Sequence, residues 1–135
     1  MKKILYILLS IFLLTACSSD DDNGGSSQNK TSYVIKQTYR DSQPNTVVGY
    51  KKNGIYVQLA QYGDLKKNVV SKEVSIETYD ISEIFIFYTD ELGSFRINEF
   101  FKIEKNKKNT IEISGSVSAI PINKNEPAEY PIKPY

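Results

Sequence analysis

Val47-Val48-Gly49-Tyr50-Lys51-Lys52-Asn53-Gly54-Ile55-Tyr56-Val57-Gln58-Leu59 is two β-rich runs joined by Asn-Gly. A two-residue loop of this composition favours a type I′ turn, because both central residues take positive φ there. So short a loop also fixes register. It predicts Lys52 opposite Ile55, Tyr50 opposite Val57 and Val48 opposite Leu59 on one mostly apolar face. Lys51 with Tyr56, Gly49 with Gln58 and Val47 with Ala60 then share the other.

Period-two patterning continues on both sides of this hairpin. Tyr33, Ile35 and Tyr39 alternate with Val34, Lys36, Thr38 and Arg40, and Asp41-Ser42-Gln43-Pro44-Asn45 breaks the run with turn residues. Gly63 to Asn68 reads as a loop, and Val69 to Thr78 as an imperfect strand. Glu83 to Tyr88 is apolar on both parities, as in a strand covered on both sides. Phe95 to Glu104 and Thr110 to Ile120 complete the set, with Lys105 to Asn109 expected as a hairpin turn between them. No run keeps a helical period. The expected fold is all-β: a single antiparallel β-sandwich, immunoglobulin-like or transthyretin-like, of about seven to eight strands, with a small barrel as the alternative.

Thr89-Asp90-Glu91-Leu92-Gly93-Ser94-Phe95-Arg96-Ile97 resembles the Thr-Asp-x-x-Gly-x-Phe-x-Ile hairpin of transthyretin-like or carboxypeptidase-regulatory-like β-sandwiches. The resemblance covers nine residues. It implies that Gly93 relieves the turn and that Phe95 enters the core, and it transfers no binding residue.

The N-terminus carries a different message. Met1-Lys2-Lys3 is a short positive segment, and Ile4 to Leu14 is an apolar run of eleven residues interrupted by Tyr6 and Ser10. Such a helix rises roughly 16 Å, about half of a bilayer core. It ends in Leu14-Thr15-Ala16-Cys17, which resembles the lipobox of bacterial lipoproteins. The resemblance implies cleavage after residue 16, with Cys17 as the new N-terminus carrying a thioether-linked diacylglycerol and a further acyl chain on its amine. Two or three chains anchor firmly, whereas one holds only marginally. Residues 18–30 have no apolar side chain and are expected to form a flexible tether. Within them, Ser19-Asp20-Asp21-Asp22 resembles the acidic export signal of some Gram-negative lipoproteins. That implies the outer membrane with the domain facing the cell surface, the periplasmic face being the alternative.

The expected organisation is therefore 1–16 signal peptide, 17–30 lipidated cysteine and acidic tether, 31–122 sandwich, and 123–135 an extended Pro-rich tail. The tail either packs along an edge strand or hangs free as a ligand segment.

Composition excludes several function classes. The chain of 135 residues has no histidine and no tryptophan, and Cys17 is its one cysteine. Histidine acid–base chemistry, Ser-His and Cys-His nucleophiles and the usual zinc sites are absent by composition. With Lys2 and Lys3 removed, 15 basic residues face 16 acidic ones, so bulk charge gives no reason to bind nucleic acid. No cofactor and no metal site is expected. Asp64, Asp80 and Glu99 read as solvated acids rather than as a catalytic pair.

Aromatic residues remain. Outside the signal the chain has nine tyrosines and five phenylalanines, and tyrosine suits recognition surfaces. Tyr56 and Tyr62 share parity with each other, so with Lys51 they are the candidate platform for a sugar ring or a protein, provided their face is exposed; packing against the second side of the sheet is the competing role. The expected function is a non-enzymatic, lipid-anchored binding or accessory lipoprotein, for adhesion, glycan or protein recognition. The alternatives are an inhibitor or immunity-type lipoprotein capping a secreted toxin or hydrolase, and a purely structural envelope protein.

Overall fold

The structure is a computed structural model and describes residues 30–78 and 80–134. The expected signal peptide, the lipidated Cys17 and all of the tether except Lys30 lie outside the described residues. Ten strands follow in chain order: β1 (Thr31–Gln37), β2 (Ser42–Gln43), β3 (Val47–Lys52), β4 (Ile55–Gln61), β5 (Leu65–Lys66), β6 (Val74–Ile76), β7 (Glu83–Asp90), β8 (Gly93–Lys102), β9 (Lys108–Ile113) and β10 (Ala119–Ile122). They form a three-stranded sheet, β6-β1-β9, a five-stranded sheet, β10-β8-β7-β3-β4, and a two-stranded ladder, β2-β5. The fold is all-β, as the period-two pattern predicts. The pairing of β1 with β9 is parallel, whereas the other strand pairs are antiparallel.

The main core lies between the two larger sheets. Tyr33, Ile35, Ile111 and Ile113 from one side meet Val48, Ile84, Ile86, Tyr88 and Ile97 from the other. Each fully buried aliphatic side chain contributes about 1.5–3 kcal/mol of transfer free energy. β7 is covered on both sides, as its unbroken apolar run requires. Ile84, Ile86 and Tyr88 face the main core, and Phe87 joins Val47 and Tyr56 in a second cluster on the outer face of the five-stranded sheet.

The Asn-Gly turn forms as expected, with φ of 50° at Asn53 and 82° at Gly54. Lys52–Ile55, Lys51–Tyr56, Tyr50–Val57 and Gly49–Gln58 are paired. Beyond Gly49 the register shifts: Val48 faces Ala60 and Val47 faces Gln61. Leu59 is the extra residue of a bulge, which overturns the expected Val48–Leu59 and Val47–Ala60 pairs. An extra residue reverses every later side chain on that strand.

Two other expectations are corrected. Lys105 to Asn109 does not close a hairpin, because β8 and β9 belong to different sheets; the segment carries the chain across the sandwich. Asn109 holds it: its Oδ1 accepts from Glu104 N at 2.8 Å and its Nδ2 donates to the carbonyl of Ser32 at 3.0 Å. Thr110 to Ile120 is not one strand either. A turn at Ser114–Val117, closed by Val117 N donating to Ser114 O at 3.2 Å, sends β9 and β10 to opposite sheets.

The tail packs back on the domain. After β10 it makes a turn in which Tyr130 N donates to Glu126 O at 3.0 Å. The Tyr130 ring then meets Phe87 of β7 at 5.7 Å, and Ile132 pairs in parallel with Val57 of β4. The segment thus crosses the outer face of the five-stranded sheet from its β10 edge to its β4 edge.

Candidate functional site

β1 enters the domain at Thr31, next to the tether, and leaves the sheet at Gln37 at the opposite end. Asn106 N donates to Thr31 Oγ1 at the tether end. At the far end four connecting segments gather around the end of β1. Thr38 N donates to Ile113 O at 2.9 Å, Asn68 N to Gln37 O at 2.9 Å, and Lys67 N to Asp41 O at 3.0 Å. Asn45 Nδ2 reaches Thr89 O at 3.2 Å, which ties in the β7–β8 turn. Sandwiches commonly place recognition loops at one end in this way.

These segments are built on a polar core. Gln37, Gln43 and Thr46 are each 0% exposed. An unpaired buried amide costs about 1–3 kcal/mol, and here the amides are paired. Gln37 Nε2 donates to Arg40 O at 2.5 Å and to Leu65 O at 3.1 Å, while its Oε1 accepts from Arg40 N at 3.1 Å. Gln43 Oε1 accepts from the Tyr39 hydroxyl at 3.0 Å, and its Nε2 donates to Thr46 Oγ1 at 3.3 Å. Thr46 Oγ1 in turn donates to Gln43 O at 3.2 Å. Asn45 and Asn68, at φ of 41° and 60°, supply the left-handed bends that asparagine tolerates. One backbone arrangement satisfies all of these groups, so the loops are preorganised.

Two hollows border the β2-β5 ladder, one reaching Ser42 of β2 and the other Leu65 and Lys66 of β5. The larger, of about 630 Å³, is lined by Arg40, Ser42, Asn45, Asp90 and Leu92 among others. The smaller, of about 370 Å³, is lined by Tyr62, Asp64, Lys66, Val69 and Lys72 among others. Arg40 spreads its guanidinium over the rings of Tyr39 and Tyr88, at 5.1 and 4.9 Å, and stands 4.0 Å from Asp90. Burial raises the Tyr39 phenol above its ordinary range, partly opposed by the Arg40 charge. Asp90 Oδ1 accepts from Leu92 N at 2.9 Å, fixing the turn that holds the Leu92 side chain 87% exposed. Val69 and Val70 are also exposed. Rigid loops presenting apolar side chains around a stacked arginine are suited to recognition.

The structure does not bring Lys51, Tyr56 and Tyr62 together as a platform. Tyr56 and Tyr62 are 5% and 7% exposed and belong to different clusters, on opposite faces of the sheet. The bulge at Leu59 is the reason, since equal parity across it no longer means equal face. Lys51 does stand over the Tyr56 ring at 5.3 Å. Arg96 donates to the Tyr56 hydroxyl at 2.8 Å, and Phe85 and Phe87 pack edge-on to its ring at 5.1 and 5.0 Å. Tyr62 instead enters the main core beside Tyr33. Cys17 lies outside the described residues. Among the described residues no three acidic, cysteine or histidine side chains converge as a metal site would require. Gln37, Gln43 and Thr46 carried no motif; the one signal was that Gln37 falls on the same parity as the inward Tyr33 and Ile35.

Residues 1–18 match the prokaryotic membrane lipoprotein lipid attachment site. The chain is therefore a bacterial lipoprotein, anchored to membrane by lipid, with an all-β domain after the anchor. No curated protein matches it. A solved NMR structure of a protein from Eubacterium rectale is similar to it at 15% identity and a TM-score of 0.47, covering 75% of this chain and 97% of that one.

Proposed function

We propose that this lipoprotein is a recognition module of the outer membrane, displayed on the cell surface, which binds a protein partner through the loops remote from its tether and catalyses no reaction. The observation that carries this reading is Leu92, almost wholly exposed on a turn whose flank at Thr89 is bonded by Asn45, the neighbour of the buried Thr46. An apolar side chain held on preordered loops gains affinity without a large ordering cost. The run Asp20-Asp21-Asp22 supports surface display. A protein partner is favoured over a glycan because the exposed Leu92, Val69 and Val70 are aliphatic, offering no ring to stack on a sugar and no polar side-chain group to bond its hydroxyls. Capping of a secreted toxin or hydrolase is one form of the same reading, distinguished by a single tight, stoichiometric partner.

The test uses the soluble fragment 30–135 to capture partners from an envelope extract. Three forms are compared: the parent, a Leu92→Lys/Val69→Lys variant, and a control with Lys105→Glu at the tether end. A stoichiometric protein retained by parent and control but lost by the double variant is expected. Capture indifferent to Leu92 and Val69 overturns the reading, and so do glycan-array hits without a protein partner. Proteolysis of intact cells tests orientation: protection until the cells are broken overturns surface display.

A further inference from the structure

The tail segment Tyr130-Pro131-Ile132 occupies a groove with the chemistry of a peptide site. Its floor is the outer face of the five-stranded sheet and its wall is the free edge of β4. Ile132 N donates to Tyr56 O at 3.0 Å, and Gln58 N donates to Ile132 O at 2.7 Å. This is the hydrogen-bond pattern of a strand adding in parallel to an edge. Pro131 is buried over Gly49, where a Cβ would come within 2.9 Å of its Cγ. The missing side chain at residue 49 is thus the pocket that admits the proline ring. Tyr130 sets its ring edge-on to Phe87 at 5.7 Å. Backbone pairing, a proline pocket and an aromatic contact therefore act on three consecutive residues.

The fit is incomplete in one respect. β4 is a seven-residue edge strand, and the tail bridges it only at Val57 among the described residues. An edge of that length offers pairing that the tail does not use. We propose that this groove is a strand-addition site for an extended partner segment of aromatic-proline-aliphatic type, and that Tyr130-Pro131-Ile132 is a built-in competitor that keeps it closed. A second copy of the chain offers only the same segment without the advantage of covalent attachment. The occupant that displaces the tail is therefore a different polypeptide, one that pairs along more of β4.

The test weakens the tail in the full-length chain while leaving the groove intact. Ile132→Pro removes the N–H that bonds Tyr56 O. The probe is a synthetic peptide with the sequence of residues 128–135, followed through the Gln58 amide resonance. The variant is expected to bind it at least tenfold more tightly than the parent chain, and a peptide carrying Pro131→Lys is expected to bind at least tenfold more weakly. Equal binding by parent and variant, indifference to the proline, or no binding by a folded variant overturns the proposal. A second measurement needs no variant. In the parent chain the Gln58 amide is expected to exchange with solvent at least a hundredfold faster than that of Ile86, reporting tail release. Equal protection makes the tail an integral part of the fold and overturns the proposal, and a dimer with exchanged tails overturns the choice of partner.

Discussion

Tyr33 and Tyr62 bury their hydroxyls side by side in the main core, and neither has a hydrogen-bond partner of good geometry. Burial holds both phenols in the protonated form and raises them above the ordinary tyrosine range, with mutual repulsion adding to the effect at Tyr33. An unfolded chain releases these protons near pH 10, whereas the folded one retains them. The native state then binds more protons than the unfolded state, so stability falls as pH rises. Full stability is expected below about pH 10, followed by a loss as pH rises, approaching about 1.4 kcal/mol per pH unit for Tyr33, with Tyr62 adding in the same direction. Urea midpoints measured between pH 8 and pH 11 check this. Tyr33→Phe should make the decline shallower and leave stability at pH 7 within about 1 kcal/mol, because it removes an unsatisfied hydroxyl. An unchanged slope would show that Tyr33 titrates normally.

Gln37 anchors the far-end loops by bonding Arg40 N, Arg40 O and Leu65 O from a wholly buried position. Gln37→Leu keeps much of the volume but strands those three backbone groups. The expected cost is about 2 kcal/mol, within the range for buried groups left unpaired. Hydrogen exchange at the Arg40 amide should rise by more than the global opening accounts for. Retained protection there would mean that the loops are held by other contacts.

The β3–β4 turn gives a cleaner backbone test. Gly54 has φ of 82° and nothing within 4 Å of a Cβ built on it, so Gly54→Ala acts through conformation and not through a clash. A left-handed non-glycine residue costs about 1–2 kcal/mol. Thermal unfolding should register that loss, while Asn53→Gly should be nearly neutral. Equal effects at the two positions would contradict the type I′ assignment.

Legibility followed the range of the interactions. Asn53-Gly54 sets its own turn and the first four pairs beyond it, so that part of the register was open to reading. The Leu59 bulge was hinted at only by Gly49, a glycine inside a strand, which commonly marks a bulge or a close backbone approach. Here it marks both, since Pro131 sits against it. Lys105 to Asn109 has the composition of a hairpin tip, and nothing local distinguishes a tip from a crossover between sheets. Which sheet receives β9 depends on Ile111 and Ile113 meeting β1, a contact about seventy-five residues distant in sequence. The far-end site was hidden for a related reason. Asp41 to Asn45 reads as any polar turn, and only three-dimensional packing turns Gln37 and Gln43 into interior residues.

Within the matched attachment site of residues 1–18, Cys17 is the residue expected to carry the lipid. A thioether bond to a diacylglyceryl group needs the thiol sulfur, and each buried methylene would add about 0.8 kcal/mol, so two or three chains would hold the domain firmly where one would not. Among the described residues no helix is long and apolar enough to cross a membrane. Cys17→Ser keeps the size of the side chain and removes the atom that accepts the lipid. The variant is expected to leave the detergent phase in a two-phase separation and to collect in the aqueous phase, with the far-UV spectrum of its domain unchanged. Washing membranes with high salt separates the remaining possibility. If the serine variant stays with membranes and salt releases it, surface charge holds the domain. If salt does not release it, an uncleaved Ile4–Leu14 segment holds it, and in either case the lipid is not the anchor.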